Sequence, residues 1–271
     1  MIQLSAIYCV RDRDAHRIGN CFRSLLAQAG SSLQIEVVLV DYGSSPSFAA
    51  TYPQLVADFG GHLVKVPRRP DFCKTHALNI GIRKSSASST FLMTSDIDMV
   101  YGPNFLSVLV AELQTPPDAL VTCGHWALPA DAITPDTDVV EGFEGLCAPD
   151  NLTWFRHWSG PCLAARRSWF FQVQGFDEQY LRYGPEDGDL VRRAKRSGLE
   201  VRWIHDRVQL LHQWHPTQQE VAIESGPQDA HQHTLCLVKN FARWHTRRTV
   251  VRNSPDAWGL LPDADGATAY P

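Results

Sequence analysis

Phe91-Leu92-Met93-Thr94-Ser95-Asp96-Ile97-Asp98 is an apolar run that ends in two carboxylates two positions apart. If the extended conformation continues to Asp98, both project to one side of the chain. A hard cation such as Mn²⁺ or Mg²⁺ then fits between them and a diphosphate. Taken singly, an Asp-x-Asp at a strand end is more often a turn or a helix cap. Two other clusters alter that weighting. Gly184-Pro185-Glu186-Asp187-Gly188-Asp189 reads as a helix start with its acids in the first turn, where the helix dipole favours negative charge. That reading does not ask for the Gly175-Phe176-Asp177-Glu178 turn just before it. Leu210-Leu211-His212-Gln213-Trp214-His215 runs an apolar strand into two histidines three apart, either of which can complete a metal shell.

The chain that must position these groups has 271 residues, 44% hydrophobic and 20% charged, the composition of a globular protein with one large domain or two small ones. A net charge of -4, with no Lys/Arg run longer than a pair, gives neither a nucleic-acid footprint nor a polybasic membrane anchor, so no nucleic-acid partner is expected. No stretch approaches the roughly 18 to 20 apolar residues of a bilayer span. The expected location is cytoplasmic or peripheral to the membrane. The seven cysteines form no CxxC pair and are expected to be reduced thiols.

The first half alternates β-rich runs with helical stretches, the pattern of an α/β fold around a mostly parallel sheet. Strands are predicted at residues 4–10, 35–40, 62–66, 90–94 and 119–123, with helices at 15–29, 75–84 and 103–113. In such sheets ligands bind beyond the carboxyl ends of the strands, which singles out Arg11 to Arg13, Asp41, Arg68 to Asp71 and Ser95 to Asp98. The second half is less regular. It holds an acidic loop at 131–138, an aromatic stretch from Trp154 to Trp158, strands at 160–165, 201–204 and 208–211, and helices at 185–196 and 228–244. One domain is expected over 1–245, divided at about residue 125, with 246–271 as a tail rich in Pro, Gly and Asp.

Taken together, the opening strand, Val40-Asp41-Tyr42-Gly43-Ser44-Ser45, Ala77-Leu78-Asn79-Ile80-Gly81, Asp96-Ile97-Asp98 and the block from Gly175 to Asp187 resemble the inverting family 2 nucleotide-sugar glycosyltransferases. The likeness covers about residues 3 to 216. The later block, with its histidines, is similar to galactosyl- and N-acetylgalactosaminyltransferases, including bacterial chondroitin-type polymerases. The resemblance implies an A-type fold: a Rossmann-like donor-binding half (1–125) merged with a smaller acceptor and catalytic half (126–245).

What the resemblance implies for single residues follows from their positions in these motifs. Tyr8, Val10 and Arg11 would border the base pocket, Asp41 would bond uracil or ribose, Arg68, Arg69 and Lys74 would be the candidates for the donor diphosphate, and Asn79 would be among the donor-binding residues. Asp96 would reach the ribose or the metal, Asp98 would bind the metal, and His212 or His215 would complete the shell. Asp187 would be the base that activates the acceptor hydroxyl, with Glu186 orienting the acceptor. Trp154, Trp158 and Trp214 offer faces to sugar rings. The activity implied is transfer of a hexose or N-acetylhexosamine from a UDP-sugar to a saccharide or other hydroxyl acceptor. Asp-Ile-Asp and Gly184-Pro185 depart from the family's commoner Asp-small-Asp and Gly-Gly. A nucleotidyltransferase is the enzyme alternative, although Val10-Arg11-Asp12-Arg13-Asp14 is not its usual glycine-rich loop; a non-catalytic sugar-nucleotide-binding protein is the other.

Overall fold

The computed structural model describes residues 2–30, 32–156 and 160–261. Its first half follows the predicted alternation: β1 (Ile2–Val10), α1 (Ala15–Leu26), β2 (Leu33–Tyr42), α2 (Pro46–Ala49), α3 (Tyr52–Asp58), β3 (His62–Val66), α4 (Lys74–Lys84) and β4 (Phe91–Ser95). Next come β5 (Met99–Tyr101), α5 (Phe105–Gln114), β6 (Ala119–Thr122), β7 (His125–Ala127), α6 (Phe143–Leu146), β8 (Trp154–Arg156), β9 (Cys162–Arg166) and α7 (Arg167–Gln172). The chain ends with α8 (Glu186–Arg196), β10 (Glu200–Trp203), β11 (Leu210–His212), α9 (Gln218–Glu224) and α10 (Pro227–Thr246).

Seven strands form one sheet in the order β10-β6-β9-β4-β1-β2-β3. All neighbours are parallel except β9, which runs antiparallel to β4 and β6. Helices cover both faces, so the strands are apolar on both sides, as buried parallel strands must be. In β1, Leu4, Ala6, Tyr8 and Val10 enter one core with α1 and α5, while Ile7 enters the other with α4, α7 and α8. Gly81 lets α4 approach: a Cβ there would lie 2.4 Å from the Ile7 side chain. A second sheet, β5-β11-β7-β8, stands beside the first and carries the histidine-rich strand end. Its strands have only three residues each, too short for a period to show in sequence.

Asn79 of α4 clamps the turn that leads to α8. Its Nδ2 donates to the Phe176 carbonyl (2.9 Å) and to Glu178 Oε1 (2.8 Å), and its Oδ1 accepts the Phe176 N–H (2.7 Å). Gly175 makes this possible, with φ at +61° and a position where a Cβ would fall 2.0 Å from Asn79 Oδ1. The segment after α10 has no sequence period, yet it packs here. Asn253 Nδ2 donates to the Gln174 carbonyl at 2.7 Å, Trp258 is 5% exposed in the core, and Arg252 pairs with buried Asp189 at 3.0 Å. Among the described residues no helix is long and apolar enough to cross a membrane, and the seven cysteines are unpaired.

Gly175→Ala is expected to destabilise the fold by about 1 to 3 kcal/mol, from the left-handed backbone and the lost Asn79 clamp. An unchanged urea midpoint would show that the turn tolerates a side chain there.

Candidate active site

The loops that follow β1, β2 and β3 are knitted together by polar contacts. Arg11 Nε donates to the Tyr42 carbonyl at 2.8 Å, and its guanidinium lies over the Tyr42 and Phe72 rings at 5.4 and 5.5 Å. Burial, reinforced by Arg68, lowers its pKa from the ordinary value. Asp12, at φ +54°, accepts from the Ser45 N–H at 2.6 Å and pairs with Arg68 at 3.2 Å. Asp41 Oδ1 caps the Ser44 N–H at 2.8 Å, and Arg68 also donates to the Gly43 carbonyl at 2.8 Å. Arg11, Asp41 and the start of α4 therefore share one rim of the sheet.

Lys74, at the first position of α4, reaches across that rim. Its Nζ lies 2.7 Å from Asp96, 3.0 Å from Asp187 and 4.0 Å from Glu186. Burial opposes its charge, but Asp187, Asp96 and Glu186 hold the ammonium well above its ordinary pKa. The two α8 acids that face it, Glu186 and Asp187, are also raised, which for a carboxyl favours the neutral form. Glu186 is raised mainly by burial and then by Asp187; Asp187 is raised by burial and by Asp96, with Lys74 opposing. Such raised acids in a helix first turn suit proton transfer near neutral pH.

Asp98 stands apart from this cluster. Its carboxylate, His212 and His215 offer ligand atoms that all lie within 4.8 Å of one another. His215 Nε2 is 2.9 Å from Asp98 Oδ2, and His212 Nε2 is 3.6 Å from Oδ1. Ligands at adjacent corners of an octahedral ion, each about 2.1 Å from it, stand about 3 Å apart. His215 Nδ1 is 2.7 Å from the Pro216 carbonyl, which only accepts, so Nδ1 donates there and Nε2 is the ring atom left facing Asp98. Asp98 Oδ1 is buried with no hydrogen-bond partner. A buried, unpartnered carboxylate oxygen beside two imidazole nitrogens is a donor set that suits a cation. Burial lowers the His212 pKa against the pull of Asp98; burial would raise Asp98, but His212, His215 and Arg13 hold it well below the carboxylate range. A carboxylate with two imidazoles fits a first-row transition ion better than Mg²⁺, which prefers oxygen ligands.

Several expectations change here. β4 ends at Ser95 and the chain turns, so Asp96 and Asp98 do not share a side: Asp96 faces Lys74 and lies outside the Asp98 group, while Ile97 between them is buried in the core. Tyr8 and Val10 are 0% and 1% exposed, because alternate residues of β1 point into the core under α1. The Tyr8 hydroxyl lies 3.0 Å from that of Tyr101, so neither residue borders a ligand pocket. Asn79 spends its amide on the Phe176 turn rather than on a donor. Arg69 is half-buried with its charge near Tyr42 and His76. Trp154 and Trp214 are 58% and 50% exposed, and Trp158 lies outside the described residues.

Residues 5–137 match Glycosyl transferase family 2, and residues 152–215 match the domain described as N-terminal domain of galactosyltransferase. The chain carries a family 2 glycosyltransferase domain. Among solved structures it resembles GalNAc-T7 with UDP, GalNAc and Mn²⁺, at TM-score 0.63 and 14% identity over 90% of this chain and 47% of that one. It also resembles the mannosyltransferase PcManGT from Pyrobaculum calidifontis in complex with GDP-Man and Mn²⁺ (TM-score 0.56, 16% identity, 90% and 70% covered). S. aureus TarS 1-349 in complex with UDP matches at TM-score 0.56 and 12% identity over 91% and 72%. At such identities the likeness is one of fold, the A-type glycosyltransferase fold. The chain spans less than half the length of the GalNAc-T7 chain and of the longer TarS chain, at 47% and 44%. No curated protein matches the sequence.

The motifs of the glycosyltransferase domain did not flag His125, whose ring lies 5.4 Å from that of His212 and whose pKa burial lowers to about 3. Its place just past an apolar strand was the available signal. The raised Glu186 pKa has a consequence for stability. Between the ordinary carboxylate range and its raised value the folded state binds the extra proton, so stability falls as pH rises through that window. Glu186→Gln is expected to raise the melting temperature at about pH 8 and to have little effect near pH 4. A variant destabilised equally at both would show that Glu186 is a structural ligand of Lys74.

Proposed function

We propose that the domain transfers a hexose or N-acetylhexosamine from a UDP-sugar to an acceptor hydroxyl, with inversion and with Mn²⁺ as cofactor. Residues 1–125 serve the donor, and 126–245 serve the acceptor and the base. One observation carries the reading: a single ammonium, Lys74, joins Asp96 at the donor edge to Asp187 at the α8 start. The solved relatives that hold UDP or GDP-Man, two of them with Mn²⁺, support the donor class and the metal.

In this reading Asp98, His212 and His215 would hold the ion, whose positive charge would offset the charge that builds on the departing diphosphate. Arg11, Asp41 and Arg69 border the nucleotide, and Asp96 its ribose. Lys74 is the mobile charge: paired with Asp96 and Asp187 in this structure, it would turn to the diphosphate when the donor enters. Losing that partner raises the affinity of Asp187 for a proton, which suits a base about to take one from the acceptor hydroxyl. Glu186, protonated in its buried setting, donates a hydrogen bond that orients the acceptor.

Asp187→Asn keeps shape and most hydrogen bonds but cannot take the proton, so transfer should fall roughly 10²- to 10⁴-fold while UDP binding stays. Initial rates beside UDP titrations check this; near-normal transfer would remove Asp187 as the base. For the metal, Asp98→Ala, His212→Ala and His215→Ala should each weaken Mn²⁺-dependent UDP binding by at least about 10-fold, measured by calorimetry with Mn²⁺ and with EDTA. Equal affinity in both buffers for the unaltered protein would overturn the metal assignment.

A further inference from the structure

The face of the second sheet that carries the metal-binding histidines also carries an arginine that the proposed chemistry does not use. β8 pairs antiparallel with β7 in the register His125↔Arg156, Trp126↔Phe155, Ala127↔Trp154. Residues directly opposite share a face and alternate residues exchange faces, so His125, Arg156 and Trp154 lie on one side. Trp126 and Phe155 meet on the other in a tilted contact, with ring centroids 5.0 Å apart. The His125 ring is 5.4 Å from His212, and His212 is 5.0 Å from His215, which puts Arg156 in the same row as the metal site.

The guanidinium of Arg156 lies over the Trp154 ring at 4.2 Å, and both residues are exposed. Lys74, Arg11, Arg68 and Arg182 are each engaged by carboxylates or carbonyls, whereas among the described residues Arg156 makes no ion pair. A cation on a ring face keeps its in-plane N–H groups outward, in the fork that matches a carboxylate. Tyr183, 45% exposed and stacked on His233 at 6.2 Å, directly precedes Gly184-Pro185-Glu186-Asp187. Arg156 acts electrostatically on Tyr183 as well as on His212 and His125, so its charge reaches the start of the catalytic helix.

We infer that Arg156, seated on Trp154 beside the metal-binding histidines, reads the carboxylate of an acidic sugar in the acceptor, whose ring rests on the exposed faces of Trp154 and Tyr183. This rests on the proposed glycosyl transfer and names the acceptor class for the same site. The logic is charge complementarity. Asp96 and Asp187 make the centre acidic and would repel an anionic acceptor, so an acidic sugar needs a dedicated cation set back from the base. Arg156 lies on β8, away from the Lys74 cluster, and fills that role.

The test uses matched probes: methyl β-glucoside against methyl β-glucuronoside, and methyl β-galactoside against methyl β-galacturonoside. Each is offered as acceptor with Mn²⁺ and a UDP-sugar that the protein hydrolyses. The uronide of at least one pair should be preferred by roughly 10- to 100-fold in kcat/KM, the size of a charged hydrogen bond, with the difference lying in KM. Arg156→Gln should bring that ratio near one, and Arg156→Lys should keep part of it. Equal use of both members, no product from any pair while hydrolysis persists, or a preference that survives Arg156→Gln would overturn the inference. So would an equal loss of UDP affinity in Arg156→Gln, which would assign the guanidinium to the donor diphosphate. Absence of UDP-sugar hydrolysis in the unaltered protein would instead overturn glycosyl transfer itself, and this acceptor class with it.

Discussion

Asp96, Glu186 and Asp187 bring three carboxylates from two distant segments around the one ammonium of Lys74, and most of them are buried. Such a group is stable only while the cation stays: without Lys74 the acids would repel one another in a medium that screens them poorly. The contact therefore ties the end of β4 and the start of α4 to α8. It also stores a reactive state, because two acids held near the point of protonation respond strongly to any movement of the ammonium.

The scaffold exists to make that meeting geometrically firm. Gly81 brings α4 close under β1, Asn79 on the same helix clamps the Phe176 turn, and Asn253 holds that turn from the opposite direction. α8 is fixed in turn by Arg193, which is fully buried and donates to the Gly175 carbonyl at 2.7 Å, and by the Arg252–Asp189 pair. The residues after α10 are thus part of the support of the site. Buried polar groups with directional partners suit this task better than apolar packing, which tolerates sliding.

The second sheet contributes a different kind of order. Its short strands add little core, yet they set His212, His125, Arg156 and Trp154 on one face at strand spacing. The acid cluster around Lys74 and the candidate metal ligands around Asp98 are consequently separate, and a cation at Asp98 would not compete with Lys74 for the same oxygens.

The family, the alternating half and the residue clusters that the fold gathers at the candidate site were legible in the sequence, because strand and helix periods and strand-end motifs are local signals. His62–Val66 was read to the residue, and β1, β2, β4 and β6 to within two residues at each end. Three things were not local. Whether Asp96 and Asp98 act together depends on where β4 stops, and one turn sends them to different partners. Whether Tyr8, Val10 and Asn79 meet a ligand or the core depends on which helix covers them. His125 and Arg156 lie in strands of three residues, where only the pairing across the second sheet shows that they share a face. Residue types and their spacing fixed which chemistry is available; the packing of segments far apart in the chain decided which groups share a proton, a cation or a core.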